Sequence, residues 1–140
     1  MRKVIPFKTD HLFEVETNFD FPEAAKEAIA SHENTDGFTI CEDGRVIACG
    51  GVHIMWNGVG EGWLVMSTKA YEMPITVARC TVKLFKTIME NNDLWRIQAS
   101  VHSGDNQSLR YAEWMGFENE GIMKKFGPDG SDYYRFARVV

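Results

Sequence analysis

With 140 residues the chain has room for one ordinary domain and not for two, and it can bury a core without disulfide or metal support. Hydrophobic residues at 44% and charged residues at 25% exclude intrinsic disorder. Fifteen basic against twenty acidic residues leave a net charge of −5, which argues against nucleic acid or an anionic membrane surface as a partner, and no run of Lys and Arg marks a basic patch.

Residues 3–7 are a short apolar run that predicts a first strand. Thr9 or Asp10 can cap a helix to about residue 17, because a short side-chain oxygen accepts from first-turn amides. Phe21-Pro22-Glu23 opens a second helix, with Ala25, Ala28 and Ile29 at helical spacing and residues 34–37 closing it. The period then changes. Residues 38–41 alternate as a strand, Glu42-Asp43-Gly44 signals a hairpin, and residues 45–56 resume β-type residues up to the turn Asn57-Gly58. Residues 61–66 are a nearly continuous apolar run, as a buried central strand requires. These three strands predict an antiparallel meander.

Residues 74–92 predict the longest helix, with an inward stripe of Val77, Cys80, Thr81, Leu84, Ile88 and Met89. Residues 95–101 alternate as a strand that turns Trp95, Ile97, Ala99 and Val101 to one face. A further helix spans 106–115 and is closed by Gly116, with Leu109, Ala112 and Met115 toward the sheet. Strands at 121–126 and 133–139 flank the turn Gly127-Pro-Asp-Gly130. Mixed order of this kind predicts an α/β (α+β mixed) fold, a central mixed sheet flanked by helices. The strand–helix–strand unit from Glu61 to Val101 needs a crossover, so its two strands are expected to be parallel and near neighbours.

Cys41, Cys49 and Cys80 are odd in number and lack metal-ligand spacing, so free thiols and no metal are expected. Neither a signal-peptide core nor a run of the ~18 apolar residues that a membrane span needs is present, which predicts a cytoplasmic protein without a membrane partner.

The segment Asp105-Asn-Gln-Ser-Leu-Arg-Tyr-Ala-Glu-Trp-Met-Gly-Phe117 carries the sharpest resemblance. Together with the element order it resembles the GNAT superfamily of N-acetyltransferases over nearly the whole chain: Ser108, Leu109, Arg110, Glu113, Gly116 and Phe117 fall in register with the pattern, Asp105 stands where that family usually has Asn, and Asn106 follows it. The resemblance implies one domain over residues 1–140 with the GNAT acyl-CoA N-acyltransferase fold. It implies acetyl-CoA as co-substrate, held in a gap between the fourth and fifth strands, with phosphate at the start of the helix after the fourth strand, where unpaired amides and a positive dipole end suit an anion. On this chain the implied binding residues are Leu64, Val65, Met66, Ser67, Thr68, Lys69, Thr76, Asp105, Asn106 and Ser108. The connector Ser67-Thr-Lys-Ala-Tyr-Glu-Met-Pro-Ile-Thr76 departs from the family pattern in having no glycine. That glycine-poor connector and the spacing over about residues 60–121 also resemble small GNAT-like proteins of short-tailed phages, the internal virion protein A group, which implies a host or virion protein as an alternative partner.

Acetyl transfer to an amine needs a base, since only the free amine attacks, and an acid for the departing thiolate. Glu61, between Gly60 and Gly62 at the head of the fourth strand, is the expected base, with His53 on the adjacent strand as a second candidate. A strand amide near Val65 is expected to help the oxyanion. Ala112 occupies the position of the family's tyrosine, and Tyr111 beside it is the expected acid. Trp56, Trp63 and Trp95 read as core. The expected activity is acetyl transfer from acetyl-CoA to a primary amine of a small molecule or protein. The alternative is an inactive phage protein that works by binding.

Overall fold

The computed structural model describes residues 2–15, 27, 29–30, 35–67, 70 and 74–140. Its elements run β1 (Arg2–Pro6), α1 (Thr9–Glu14), β2 (Thr35–Glu42), β3 (Arg45–Trp56), β4 (Val59–Met66), α2 (Pro74–Asn91), β5 (Arg96–His102), α3 (Asn106–Trp114), β6 (Glu118–Met123) and β7 (Tyr133–Val139). The expected helix from Phe21 lies largely outside the described residues; Glu27, Ile29 and Ala30 are helical. The seven strands form one sheet in the order β1-β2-β3-β4-β5-β7-β6. All pairs are antiparallel except β4 with β5, where the α2 crossover makes them parallel as expected.

The β2–β3 hairpin turns on Asp43 (φ 50°) and Gly44 (φ 81°), the two left-handed residues that match the twist of paired strands. Gly37 does not close a helix. It lies inside β2 opposite Gly51, because the backbones come so close there that a Cβ on Gly51 would stand 2.8 Å from the Asp36 carbonyl oxygen and 3.0 Å from the Gly37 Cα. At the other end of β3, Gly58 (φ 85°) accepts from the Trp95 and Arg96 amides at 2.9 and 3.1 Å, and a Cβ there would overlap the Trp95 ring. Trp95 therefore lies over the β3–β4 turn, half exposed, and not in the core as its alternation suggested. Trp56 is also exposed, at the end of β3.

Neither Thr9 nor Asp10 caps α1, since both lie within it. Lys8 is the cap residue, and its N–H donates to His11 Nδ1 at 3.1 Å. The same ring nitrogen lies 2.7 Å from the buried Thr39 hydroxyl and ties α1 to β2. The main core lies between the sheet and α2 with α3, and a smaller one under α1 holds Leu12, Val15, Cys49 and Val65. On α2 the buried stripe is Val77, Ala78, Thr81, Phe85, Ile88 and Met89, while Cys80 and Leu84 stand at its edge. The stripe follows the 3.6-residue period more closely than the sequence reading did, and each large apolar member contributes about 1.5–3 kcal/mol. Burial pushes the Cys80 thiol up, against a smaller opposing effect of Arg2 and Lys83. No helix among the described residues is long and apolar enough to cross a membrane.

β6 begins earlier than expected, at Glu118, and takes an irregularity at Asn119/Gly121 where Gly121 has φ 129°. Arg96 on β5 reaches Glu120 on β6 with two bonds, at 3.0 and 2.5 Å. The hydrogen bond from Arg96 holds the Glu120 carboxyl below the usual carboxylate range, and the charges of Arg96 and Arg135 add to this.

Two outcomes are expected. Gly51→Ala forces a methyl onto backbone that cannot give and lowers unfolding free energy by about 1–3 kcal/mol in urea denaturation. A carboxylate with a lowered folded pKa stabilises above its unfolded pKa and loses that contribution as pH falls through the folded value. Glu120→Gln is therefore less stable than the parent at pH 7, and the difference closes as pH falls below about 4; a gap independent of pH would show that the ion pair contributes nothing.

Candidate active site

Parallel β4 and β5 pair over only three registered residues, Val59 with Arg96, Gly60 with Ile97 and Glu61 with Gln98. Beyond them β4 stays on β3 as far as Met66, and β5 stays on β7 as far as His102. The two strands therefore part, and a wedge opens between them toward the start of α2. The Ser67 amide donates to the Ile47 carbonyl at 2.8 Å. By strand alternation the backbones of Val65 and Trp63 also turn to β3, which leaves those of Leu64 and Met66 facing the wedge. The Val65 amide is thus committed to the β3 ladder, and the open amides nearest to it are one residue away on either side.

The same alternation sorts the side chains. Leu64 and Met66 join the α2–α3 core, whereas Trp63 and Val65 lie on the α1 face. Glu61 shares that α1 face. Its carboxylate is half-buried and held from three sides: Arg135 Nη1 donates to both oxygens at 3.0 and 3.1 Å, Gln98 Nε2 to Oε2 at 3.0 Å, and Ser100 Oγ to Oε1 at 3.3 Å. Arg135 is itself placed by Met123, whose sulfur takes Nη2 at 3.4 Å, and by the Phe126 ring, 6.0 Å from its guanidinium carbon. His53 is the registered partner of Glu61 on β3 and so stands beside it on the same face. The Trp63 indole N–H is buried with no hydrogen-bond partner among the described residues, and its ring packs on Phe7 at 4.8 Å.

Arg135, Gln98 and Ser100 are the residues that the sequence reading missed. Period-2 alternation on β5 and β7 places them on the face opposite Ile97 and Phe136, but only the β5–β7 and β4–β5 registers bring them to Glu61.

Ser67 is buried where β4 ends, and its Oγ accepts from the Ala70 amide at 3.2 Å. Thr68 and Lys69 lie outside the described residues. Thr76 is exposed in the first turn of α2. Asp105, not Asn106, caps α3: its Oδ1 accepts from the Ser108 amide at 3.1 Å and its carbonyl from Leu109 at 3.0 Å. Asn106 is the first residue of α3 and exposed; Ser108 is half-buried. Tyr111 is buried beside Ala112, and its hydroxyl lies 3.1 Å from Thr81 Oγ1 on α2. Thr81 donates to the Val77 carbonyl at 2.6 Å, so the tyrosine is the donor to Thr81. Glu61 and Tyr111 thus flank the sheet from opposite faces. His102 serves the turn after β5, its Nδ1 accepting from the Gly104 amide at 2.9 Å, and it meets Tyr133 edge-on. Burial, with the charge of Asp129 adding to it, pushes the Tyr133 phenol up. Among the described residues no group of three or more acidic, His or Cys side chains is arranged to hold a metal.

No protein-family model and no curated protein sequence matches the chain. Solved structures do. The ribosomal-protein-S18-alanine N-acetyltransferase of Escherichia coli superposes with a TM-score of 0.76 at 13% identity, covering 100% of this chain and 94% of that one. Ard1 from Thermoplasma volcanium gives 0.79 at 12% identity, covering 99% and 97%. A GNAT-family acetyltransferase from Bacillus anthracis gives 0.73 at 19% identity, covering 99% and 94%. These neighbours bear on the acetyltransferase fold and not on the phage resemblance. A seven-stranded mixed sheet that parts between its parallel strands, helices on both faces and full-length superposition together establish that this chain has the GNAT acetyltransferase fold.

Proposed function

We propose that the protein is an N-acetyltransferase that moves an acetyl group from acetyl-CoA to a primary amine. The observation that carries this reading is the wedge beyond Glu61 and Gln98, with strand backbone at Leu64 and Met66 free to pair with an extended amide-bearing arm and a fixed carboxylate at its apex. The pantetheine arm of acetyl-CoA has that chemistry. Ser67, Thr68, Lys69 and Thr76, near the start of α2, are the proposed contacts of its phosphates, with Ser108 and Asn106 at the start of α3. Asp105 is proposed as the residue that shapes that second helix start, since its own carboxylate already occupies an amide there. Val65 supports the arm as packing under α1.

Glu61 is the proposed base. Arg135, Gln98 and Ser100 fix its orientation, so a bound ammonium would meet a carboxylate that needs no rearrangement. The freed amine nitrogen forms the new C–N bond at the thioester carbonyl carbon, an amide on the β4 edge stabilises the oxygen, and the C–S bond breaks as the nitrogen gives up its second proton to solvent. Tyr111 is the proposed acid that returns a proton to the sulfur. The acceptor is proposed to be a primary amine on a small molecule or a protein terminus; of the neighbours, one is an alanine N-acetyltransferase of a ribosomal protein.

Calorimetric titration with acetyl-CoA tests the first half, and saturable heat is expected. No heat at millimolar ligand would remove the enzyme reading and leave a protein that works by binding. With binding established, Glu61→Gln and Tyr111→Phe are each expected to slow transfer to an amine by about a hundredfold while acetyl-CoA affinity stays within a few-fold. Unchanged rates would assign the base and the acid elsewhere.

A further inference from the structure

α2 and α3 start at the ends of neighbouring parallel strands, share one core, and touch through Thr81 and Tyr111. They therefore run side by side in one direction. α2 has 18 residues and α3 has nine, so at 1.5 Å per residue they measure about 27 and 13 Å. α3 stops half-way, at Gly116 (φ 89°), and the C-terminal half of α2 runs on beyond it. A cleft of about 550 Å³ fills this place, with Arg79, Val82, Lys83 and Lys86 on one wall, Trp114 on the other and Arg138 of β7 among its lining.

The cleft concentrates positive charge on a chain whose net charge is −5. Arg79, Lys83 and Lys86 recur at i, i+4 and i+7 on one exposed face of α2, and Arg138 joins them from about fifty positions further along the chain. Among the described residues no carboxylate lines it, and none of the four cations is paired with one. Trp114 is 55% exposed, which leaves much of its ring open to solvent. The cleft is separate from the wedge: Arg138 pairs in register with Ile97 near the start of β5, where β4 and β5 are still joined.

From Arg79 to Lys86 the helix rises about 10 Å, more than one phosphate group needs and a suitable track for a chain of two or three. A broad indole face at the side of that track suits a planar base. The volume falls in the range of small-molecule sites. We infer that this cleft binds a nucleoside polyphosphate, its phosphates along Arg79, Lys83, Lys86 and Arg138 and its base against Trp114. This does not rest on acetyl transfer.

Titration of the full chain with ATP, followed by calorimetry and by tryptophan fluorescence, tests it. One saturable site with quenched emission is expected. The double variant Lys83→Glu/Lys86→Glu, on an exposed helix face, should weaken binding at least about tenfold with an unchanged melting temperature. Trp114→Phe should remove most of the quenching, and inorganic triphosphate should bind more weakly than ATP and without it. Absence of saturation at millimolar ATP would overturn the inference. So would binding that ignores the Lys83→Glu/Lys86→Glu change and is displaced by acetyl-CoA, which would put the nucleotide in the wedge. Tighter binding of a single-stranded oligonucleotide than of ATP would overturn it in favour of a nucleic-acid surface.

Discussion

The rest of the molecule depends on the short parallel contact between β4 and β5. A parallel pair needs a crossover, and α2 supplies it by leaving the end of β4 and returning at the start of β5. Strand twist then works against continued pairing, because β4 is held along its whole length by β3 and β5 along its whole length by β7. Three rungs survive. Everything read as a site follows from where they stop: the backbone turned to the open side, the face on which Glu61 sits, and the helix start at the mouth.

The polar cluster at the apex is built from residues on three strands. Arg135 comes from β7, Gln98 and Ser100 from β5, and Glu61 from β4. A half-buried carboxylate with one donor would be mobile and costly to desolvate; with a guanidinium nitrogen on both oxygens and two neutral donors it is well satisfied. Its pairing energy is modest because both partners keep contact with solvent, at 30% and 21% exposure. Its value lies in orientation. The Trp63 N–H, buried on the same face, has no hydrogen-bond partner among the described residues.

Much of the fold was legible because its turns carry strong chemistry. Asp43-Gly44 and Asn57-Gly58 place the β2–β3–β4 meander, and the 3.6-residue period of α2 implies the parallel strands around it. Glycine misled where it served close packing and not termination, as at Gly37 inside β2. Trp95 misled because alternation cannot reveal that a glycine turn offers its ring a seat outside the core. For the site, a single carboxylate on β4 could be singled out from its flanking glycines. Its partners could not, since Gln98, Ser100 and Arg135 become neighbours of Glu61 only through strand register. The basic cleft was hidden for a related reason. Its cations are spaced along a helix face and joined by one from the last strand, so no linear run announces them.

Three rungs also have a mechanical meaning. β1 to β4 and β5 to β7 are two half-sheets, each contiguous in sequence and each laddered within itself. What joins them is a narrow seam, the side-chain bonds of Glu61 to Gln98, Ser100 and Arg135 at its end, and the helix α2 laid across it. Bending at that seam breaks few hydrogen bonds, whereas bending within either half breaks many. The softest deformation of the sheet is therefore a change in the angle of the wedge, with α2 as the strap that limits it. An extended molecule paired along both open edges would act as an added strand, stiffening two leaves into one continuous sheet.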